Sequence, residues 1–256
     1  MGLFYLQIAV GGLLAGVMYS LIAVGFVLIY KSSKIFNFAQ GAMVLGAALT
    51  FVSFIEMGVP FWLSLLITTL IMIVFGIAVE RFALRKLANT SLLTLFMATV
   101  GLAFFVEGLA QFVWGGQVHG LELGIEDMPL SVTSGFTVSQ FDLFAAAVAG
   151  GLVIVLAVLF TYTRTGLHLQ AVADNVLASL SVGIPITRMW MIAWATAGVI
   201  AIVAGLMWGA RLGVQYTLSV VALKALPVFI MGGFTSISGA IIAGLIVGAV
   251  EAIGEL

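Results

Sequence analysis

The sequence predicts an all-α, polytopic integral membrane protein of about seven to eight transmembrane or re-entrant helices. Three observations carry that reading. Hydrophobic residues make up 63% of the 256 residues and charged residues only 7%, with a mean hydropathy of +1.30. A soluble domain carries roughly 25% charged residues, so there are too few polar side chains to clothe a water-facing surface, and lipid must cover most of it. The apolar runs are also of bilayer length, about 20 residues. Finally, glycines recur four apart inside those runs, at Gly12/Gly16, Gly205/Gly209 and Gly244/Gly248, a spacing that lets helix backbones approach closely in lipid.

The elements follow in order. The first span covers residues 6–30. No basic residue precedes Lys31, so this is a span and not a secretory signal, which needs a basic n-region before a short apolar core. Further spans read as 35–55, 61–79, 91–113, 141–162 and 189–209. Residues 218–256 hold two shorter apolar stretches around "MGGFTSISGA". Lys and Arg set the orientation. "KSSK" (Lys31, Lys34), "ERFALRKL" (Arg81, Arg85, Lys86) and the segment 161–188 (Arg164, Arg188) fall on one side, which is therefore cytoplasmic. The loop 114–140 falls on the other side and carries Glu122, Glu126 and Asp127 with no Lys or Arg. Arg211 is the exception, on a short outer loop.

The segment "TYTRTGLHLQAVADNVLASLSVGIPITR" (161–188) is a polar island in an apolar chain. Read as one helix over 166–182, it shows two polar stripes separated by two apolar faces. One face is bulky (Leu169, Ala173, Val176, Leu177, Leu180); the other is Leu167, Ala171, Ala178 and Val182. A helix lying on a membrane has one apolar face, so two faces suggest a helix held between two protein layers. The alternative is that "ADN" ends one helix and caps the next, since Asp and Asn favour caps.

A weak self-match joins "FNFAQGAMVLGA" (36–47) to "FTSISGAIIAGL" (234–245), with Phe36, Gly41, Ala42 and Gly46 opposite Phe234, Gly239, Ala240 and Gly244 at one offset. If this is a repeat of the transporter kind, its broken helices hold substrate groups near the midplane. The polar residues at the two breaks are then path candidates: Asn37, Gln40, Thr235, Ser236 and Ser238, with Gly41 and Gly239. Capping is the plainer role for Asn and Ser. The repeat is parallel if the first C-terminal stretch crosses the membrane, and inverted if it enters and returns.

The chain offers no catalytic set. It lacks a phosphate-cradling G-x-x-x-x-G-K-[ST] loop and an H-E-x-x-H pair. It has no Cys, and His119 and His168 are far apart, so no metal site is expected. A net charge of −1 argues against nucleic acid as a partner. Ionisable residues in spans are functional by default. Glu107 lies toward the outer end of its span, and Lys224 and Glu251 sit in the C-terminal stretch. Lys224 is the path candidate, because an ammonium could meet a substrate carboxylate. A secondary transporter would need mid-span coupling carboxylates, and a channel would need a polar stripe along several helices.

"GVMYSLIAVGFVLIYKSSKIFNFAQGAMVLGA", "VERFALRKL", "TRTGLHLQAVADNVLASLSVGI" and "ALKALPVFIMGGFTSISGAIIAGLIVGAVEA", in this order over nearly the whole chain, resemble the LivH-type permeases of branched-chain amino-acid ABC importers. The resemblance implies one permease domain over 1–256, a multi-pass protein of the bacterial inner membrane that catalyses no reaction. ATP and Mg would be bound by two cytoplasmic ATPase subunits, with no cofactor in this chain. A second, similar permease and a periplasmic or extracellular substrate-binding protein complete the implied assembly. The segment 161–188 takes the place of the ATPase-coupling loop, and Arg164, Gly166, Ala171, Asp174, Asn175, Ala178 and Gly183 are its candidate residues. Gln170 departs from the family, which often has Arg there. Family members also continue into one more hydrophobic segment than the one ending at Leu256. The implied cargo is a branched-chain or other hydrophobic amino acid; urea and short amides travel through similar permeases.

Overall fold

The computed structural model describes residues 2–87, 90–125, 129–133 and 136–254. Glu126 and Asp127 of the acidic loop, and Leu256, lie outside them. The helices are α1 (Gly2–Ser33), α2 (Gln40–Glu56), α3 (Phe61–Ala78), α4 (Arg85–Leu87), α5 (Leu92–Trp114), α6 (Gln140–Tyr162), α7 (Arg164–Asp174), α8 (Val176–Ser181), α9 (Ile186–Leu212), α10 (Thr217–Gly232) and α11 (Ile237–Gly254). Six stretches are long and apolar enough to cross a membrane, and α2 and α10 are shorter apolar helices. Residues 114–140, expected as loop, also hold a small antiparallel hairpin, β1 (Pro129–Thr133) with β2 (Phe136–Ser139), where Thr137 and Val138 are β-branched.

α1 is the central post. At 1.5 Å per residue it is about 48 Å long, and the stretch from Met18 to Ile29 is buried on every side. It runs antiparallel to α9, because Tyr19 stacks on Trp208 at one end while the Trp190 indole donates to the Ser32 carbonyl at the other. It is antiparallel to α11 as well: a Cβ on Gly12 would lie 2.5 Å from the Gly248 carbonyl oxygen, and one on Gly16 would strike that of Gly244. Two of the three glycine pairs read from sequence, Gly12/Gly16 and Gly244/Gly248, are therefore two halves of one seam, where the missing side chains let α1 and α11 touch backbone to backbone; Gly205, of the third, packs on the Val44 carbonyl of α2. A second such seam was not visible as a sequence pair, because its glycines lie on different helices. A Cβ on Gly76 of α3 would be 2.5 Å from the Trp194 oxygen, and one on Gly198 of α9 would be 2.6 Å from the Met72 oxygen.

These contacts give α1, α3, α6 and α10 one direction and α2, α5, α9 and α11 the other. Lys31, Lys34, Arg81, Arg85, Lys86, Arg164 and Arg188 gather at one end of the bundle, here termed the basic end. Arg211, at the opposite end, is neutralised locally: it pairs with Asp142 at 3.1 Å and lies over the Trp208 ring.

At the basic end the chain turns on Lys34, a non-glycine residue with φ of 57°. It then re-enters the bundle, and α2 starts deep inside, where the Gln40 amide reaches the carbonyl of Ala197 in the middle of α9. α3 ends in a π-helical turn, Val79–Leu84, leading into α4. There the buried Glu80 accepts a bidentate pair of bonds from Arg85 at 3.0 and 2.7 Å.

The island is not one helix. α7 stops at Asp174, and Asn175 takes an extended conformation (φ −155°, ψ 106°), its side chain accepting from the Ala178 amide at 3.0 Å. The capping alternative is the one adopted. Because Asn175 resets the helical phase, the faces change too. Leu169 and Ala173 do point into the bundle, but Val176, Leu177 and Leu180, expected beside them, are exposed.

Candidate functional site

The first break, residues 34–39 and the start of α2, is a sealed polar knot. Asn37 and Gln40 are both 0% exposed. The Asn37 carbonyl accepts from the Ala39 amide at 3.1 Å, and its amide donates to the Gln40 carbonyl at 3.1 Å. Asn37 thus stands in for missing backbone partners at a helix start, and Gln40 ties the knot to α9. Thr99 of α5, also fully buried, closes it from the other side: its hydroxyl accepts from the Phe38 amide at 3.2 Å and lies 3.0 Å from the Phe36 carbonyl. Gly41 rests on α10, where a Cβ would strike the Ser219 carbonyl.

The second break, between α10 and α11, is open. Thr235 and Ser238 are exposed at the hairpin tip, and Ser236 is a helix cap, accepting from the Gly239 amide at 3.0 Å. Gly233 supplies the left-handed turn at φ 84°. Gly239 packs against the Gly232 carbonyl so closely that a Cβ would collide with it. α10 therefore lies between the breaks, touching the glycine of one with its first turn and the glycine of the other with its last. Phe229 near its end joins them, with ring centroids 5.5 Å from Phe36 and 5.0 Å from Phe234. α2 and α11 run in the same direction and α10 crosses between the two ends, so the echo is parallel.

Lys224 is not at either break. It pairs with Glu251 at 2.5 Å, across the α10–α11 hairpin and beside a pocket that α1 and the end of α9 also line. The ion-paired arrangement is the one the structure shows for it.

At the basic end, Thr163 caps α7 through the Gly166 amide at 3.2 Å. Gly166 itself must be glycine, since a Cβ would strike the Phe160 carbonyl. Gly183 ends α8 in the left-handed region at φ 85°. Arg164, Asp174, Asn175 and Ala178 are exposed, and Ala171 is half-buried. Leu177 (76% exposed) and Leu180 form an apolar ridge on α8, and Val182 (81%) is exposed just past its end. Sequence reading missed Thr99, Phe229 and Glu80. A hydroxyl, an aromatic and an acid in apolar runs each had many alternatives, and only the fold shows what they meet.

A family described as "Branched-chain amino acid transport system / permease component" matches residues 8–256. The high-affinity branched-chain amino acid transport system permease protein LivH of Salmonella typhimurium is 27% identical, over 99% of this chain and 87% of its own. The BraD protein of the corresponding system in Pseudomonas aeruginosa is 26% identical over 98% of this chain and 86% of its own. The fructose import permease protein FruG of Bifidobacterium longum is 24% identical over 82% of this chain and 64% of its own. No solved structure matches. With six helices long and apolar enough to cross a membrane among the described residues, and with a family match that leaves only the first seven residues outside it, the chain belongs to the branched-chain amino acid transport system permease component family and is a multi-pass protein of the bacterial inner membrane.

Proposed function

We propose that this ABC-type permease moves branched-chain or other hydrophobic amino acids inward by alternating access, driven by ATP hydrolysed on two separate cytoplasmic subunits. ATP and Mg are held by those subunits, and this chain carries no cofactor and catalyses no reaction. A second, similar permease completes the path, and a periplasmic or extracellular binding protein delivers the substrate. The path runs along α10 between the two breaks, past Asn37, Gln40 and Gly41 on one side and the Ser236–Gly239 turn on the other.

The observation that carries this reading is the ridge on α8. Leu177, Leu180 and Val182 stand clear of the bundle at the basic end, held there by the Asn175 cap, and apolar side chains so placed need a partner. The seven Lys and Arg around them favour a partner with an acidic rim. Arg164, Asp174 and Asn175 sit where they would frame the contact, with Ala171 and Ala178 permitting close approach. The test is co-purification of the ATPase with each variant, alongside the melting temperature of the permease. Leu177→Ala is expected to weaken ATPase capture and leave the permease melting temperature unchanged, because the side chain touches little of its own bundle. Ala178→Trp should abolish capture and uptake. Full capture and uptake by both variants would place the ATPase elsewhere. ATP-independent uptake by the chain alone in liposomes, driven by an ion gradient, would overturn the ABC reading.

A further inference from the structure

Among the described residues, the membrane helices carry five carboxylates: Glu56, Glu80, Glu107, Asp142 and Glu251. Four face a basic side chain. Glu56 meets His119 at 2.9 Å, Glu80 meets Arg85 at 2.7 Å, Asp142 meets Arg211 at 3.1 Å and Glu251 meets Lys224 at 2.5 Å. Glu107 has no cation among the described residues. Its one hydrogen bond comes from the Tyr216 hydroxyl and is long, at 3.5 Å. The residue is half-buried and lies seven positions before the end of α5 at Trp114, about 10 Å along the helix. A carboxylate at that depth is costly unless something positive meets it. Among the described residues, three of the other four meet a Lys or Arg and Glu56 meets a histidine, whereas Glu107 meets none of these.

The surroundings are unusual for a lipid-facing helix. Tyr216, the residue that reaches Glu107, also lines a notch of about 30 Å³ whose walls include Gln111, Gln117 and Gln215, with Leu45 and Leu49 of α2; Glu107 lies just outside that lining. Those two leucines lie one and two turns beyond Gly41, on the helix that starts at the sealed polar knot. The notch therefore opens from the end opposite the basic one onto the contact between α2 and α10. On α5 itself, Gly101 and Gly108 face open space.

We infer that Glu107 is the ammonium-binding carboxylate at the outer mouth of the path. The missing cation is the α-ammonium of an amino acid in transit. The amides of Gln111, Gln117 and Gln215 and the Tyr216 hydroxyl supply donors for its α-carboxylate, and Leu45 and Leu49 supply an apolar wall for its side chain. A space of about 30 Å³ holds about one water, so the amino acid enters as α5 and the start of α10 part. The long Glu107–Tyr216 contact is the one that opens. This inference rests on the amino-acid importer reading above.

The experiment uses the complete transporter, with its ATPase and binding protein, reconstituted in liposomes, and radiolabelled leucine as the probe. Glu107→Gln should lower uptake roughly ten- to a hundredfold, the range of a lost charge-assisted hydrogen bond. ATP hydrolysis stimulated by the binding protein should persist, so leucine moved per ATP falls. Glu107→Asp should recover part of the uptake. Gln111→Ala, which removes no charge, should show a smaller loss of the same kind. Wild-type uptake in Glu107→Gln would overturn the inference. So would equal loss of uptake and of stimulated hydrolysis in both Glu107 variants, which marks a structural role. Collapse of wild-type uptake when the pH gradient is removed would assign Glu107 to proton transfer instead. If the wild-type transporter moves no leucine with ATP, the importer reading itself fails, and that result is separable from all of these.

Discussion

The two segments that echo each other in sequence have become opposites in the fold. Around Phe36–Gly41 the polar groups are sealed: Asn37 and Gln40 see no solvent, and each bonds inside the protein. Around Phe234–Gly239 they are exposed, and Ser236 serves as an ordinary cap. What the segments keep in common is the part made of small residues. Gly41 and Gly239 both press on α10, at opposite ends of it. The matching glycines record a shared need for close packing, whereas the polar residues beside them diverged according to whether the turn lies inside the bundle or at its surface.

Substitutions can break or sharpen this contrast. The largest effect is expected from Gly41→Leu. Its side chain would be driven into the Ser219 backbone, at about 3 kcal/mol or more for a site that cannot relax, and the variant should be lost from the folded fraction in detergent size-exclusion. From sequence alone, Gly41→Leu and Gly239→Leu would stop uptake and spare assembly. With backbone on the far side of both glycines, assembly itself should suffer. Asn37→Leu comes next: it leaves the Ala39 amide and the Gln40 carbonyl unpartnered in the interior, at about 1–3 kcal/mol each, and should lower the melting temperature clearly. Ser236→Ala removes a cap worth about 1 kcal/mol, a small shift in the same assay. Thr235→Ala, at the exposed tip, should stay within about 0.5 kcal/mol of wild type. Equal losses for Asn37→Leu and Thr235→Ala would erase the distinction between the sealed and the open break.

Most of the fold was legible because lipid imposes a simple code. Long apolar runs became the long helices, the charged loops gathered at one end, and Gly12/Gly16 and Gly244/Gly248 found each other. The island was legible only in part. A helical wheel assumes unbroken phase, and one extended residue, Asn175, rotated everything after it, so Leu177 and Leu180 landed outside while Leu169 stayed in. The pairing of Lys224 was hidden for a different reason. Its partner Glu251 is 27 residues away across a hairpin, and a sequence gives no way to tell a paired ammonium from a free one. For the same reason Glu107 read as an unremarkable acid near a span end. Its significance lies in the basic partners that the other helix carboxylates have and it lacks among the described residues.

The bond from Gln40 to Ala197 also sets a schedule. The two residues are 157 positions apart, so a ribosome adding about 5–20 residues per second completes the donor roughly 8–30 s before the acceptor exists. During that interval the Gln40 side-chain amide lacks the partner it has in the finished fold. The nascent chain is then expected to keep Asn37 and Gln40 at the headgroups and to draw them inward once α9 arrives. A cysteine placed at position 40 should react with a water-soluble maleimide in chains arrested before residue 186 and become protected in chains extended past residue 212. Protection in the shorter chains would mean that the knot closes without α9.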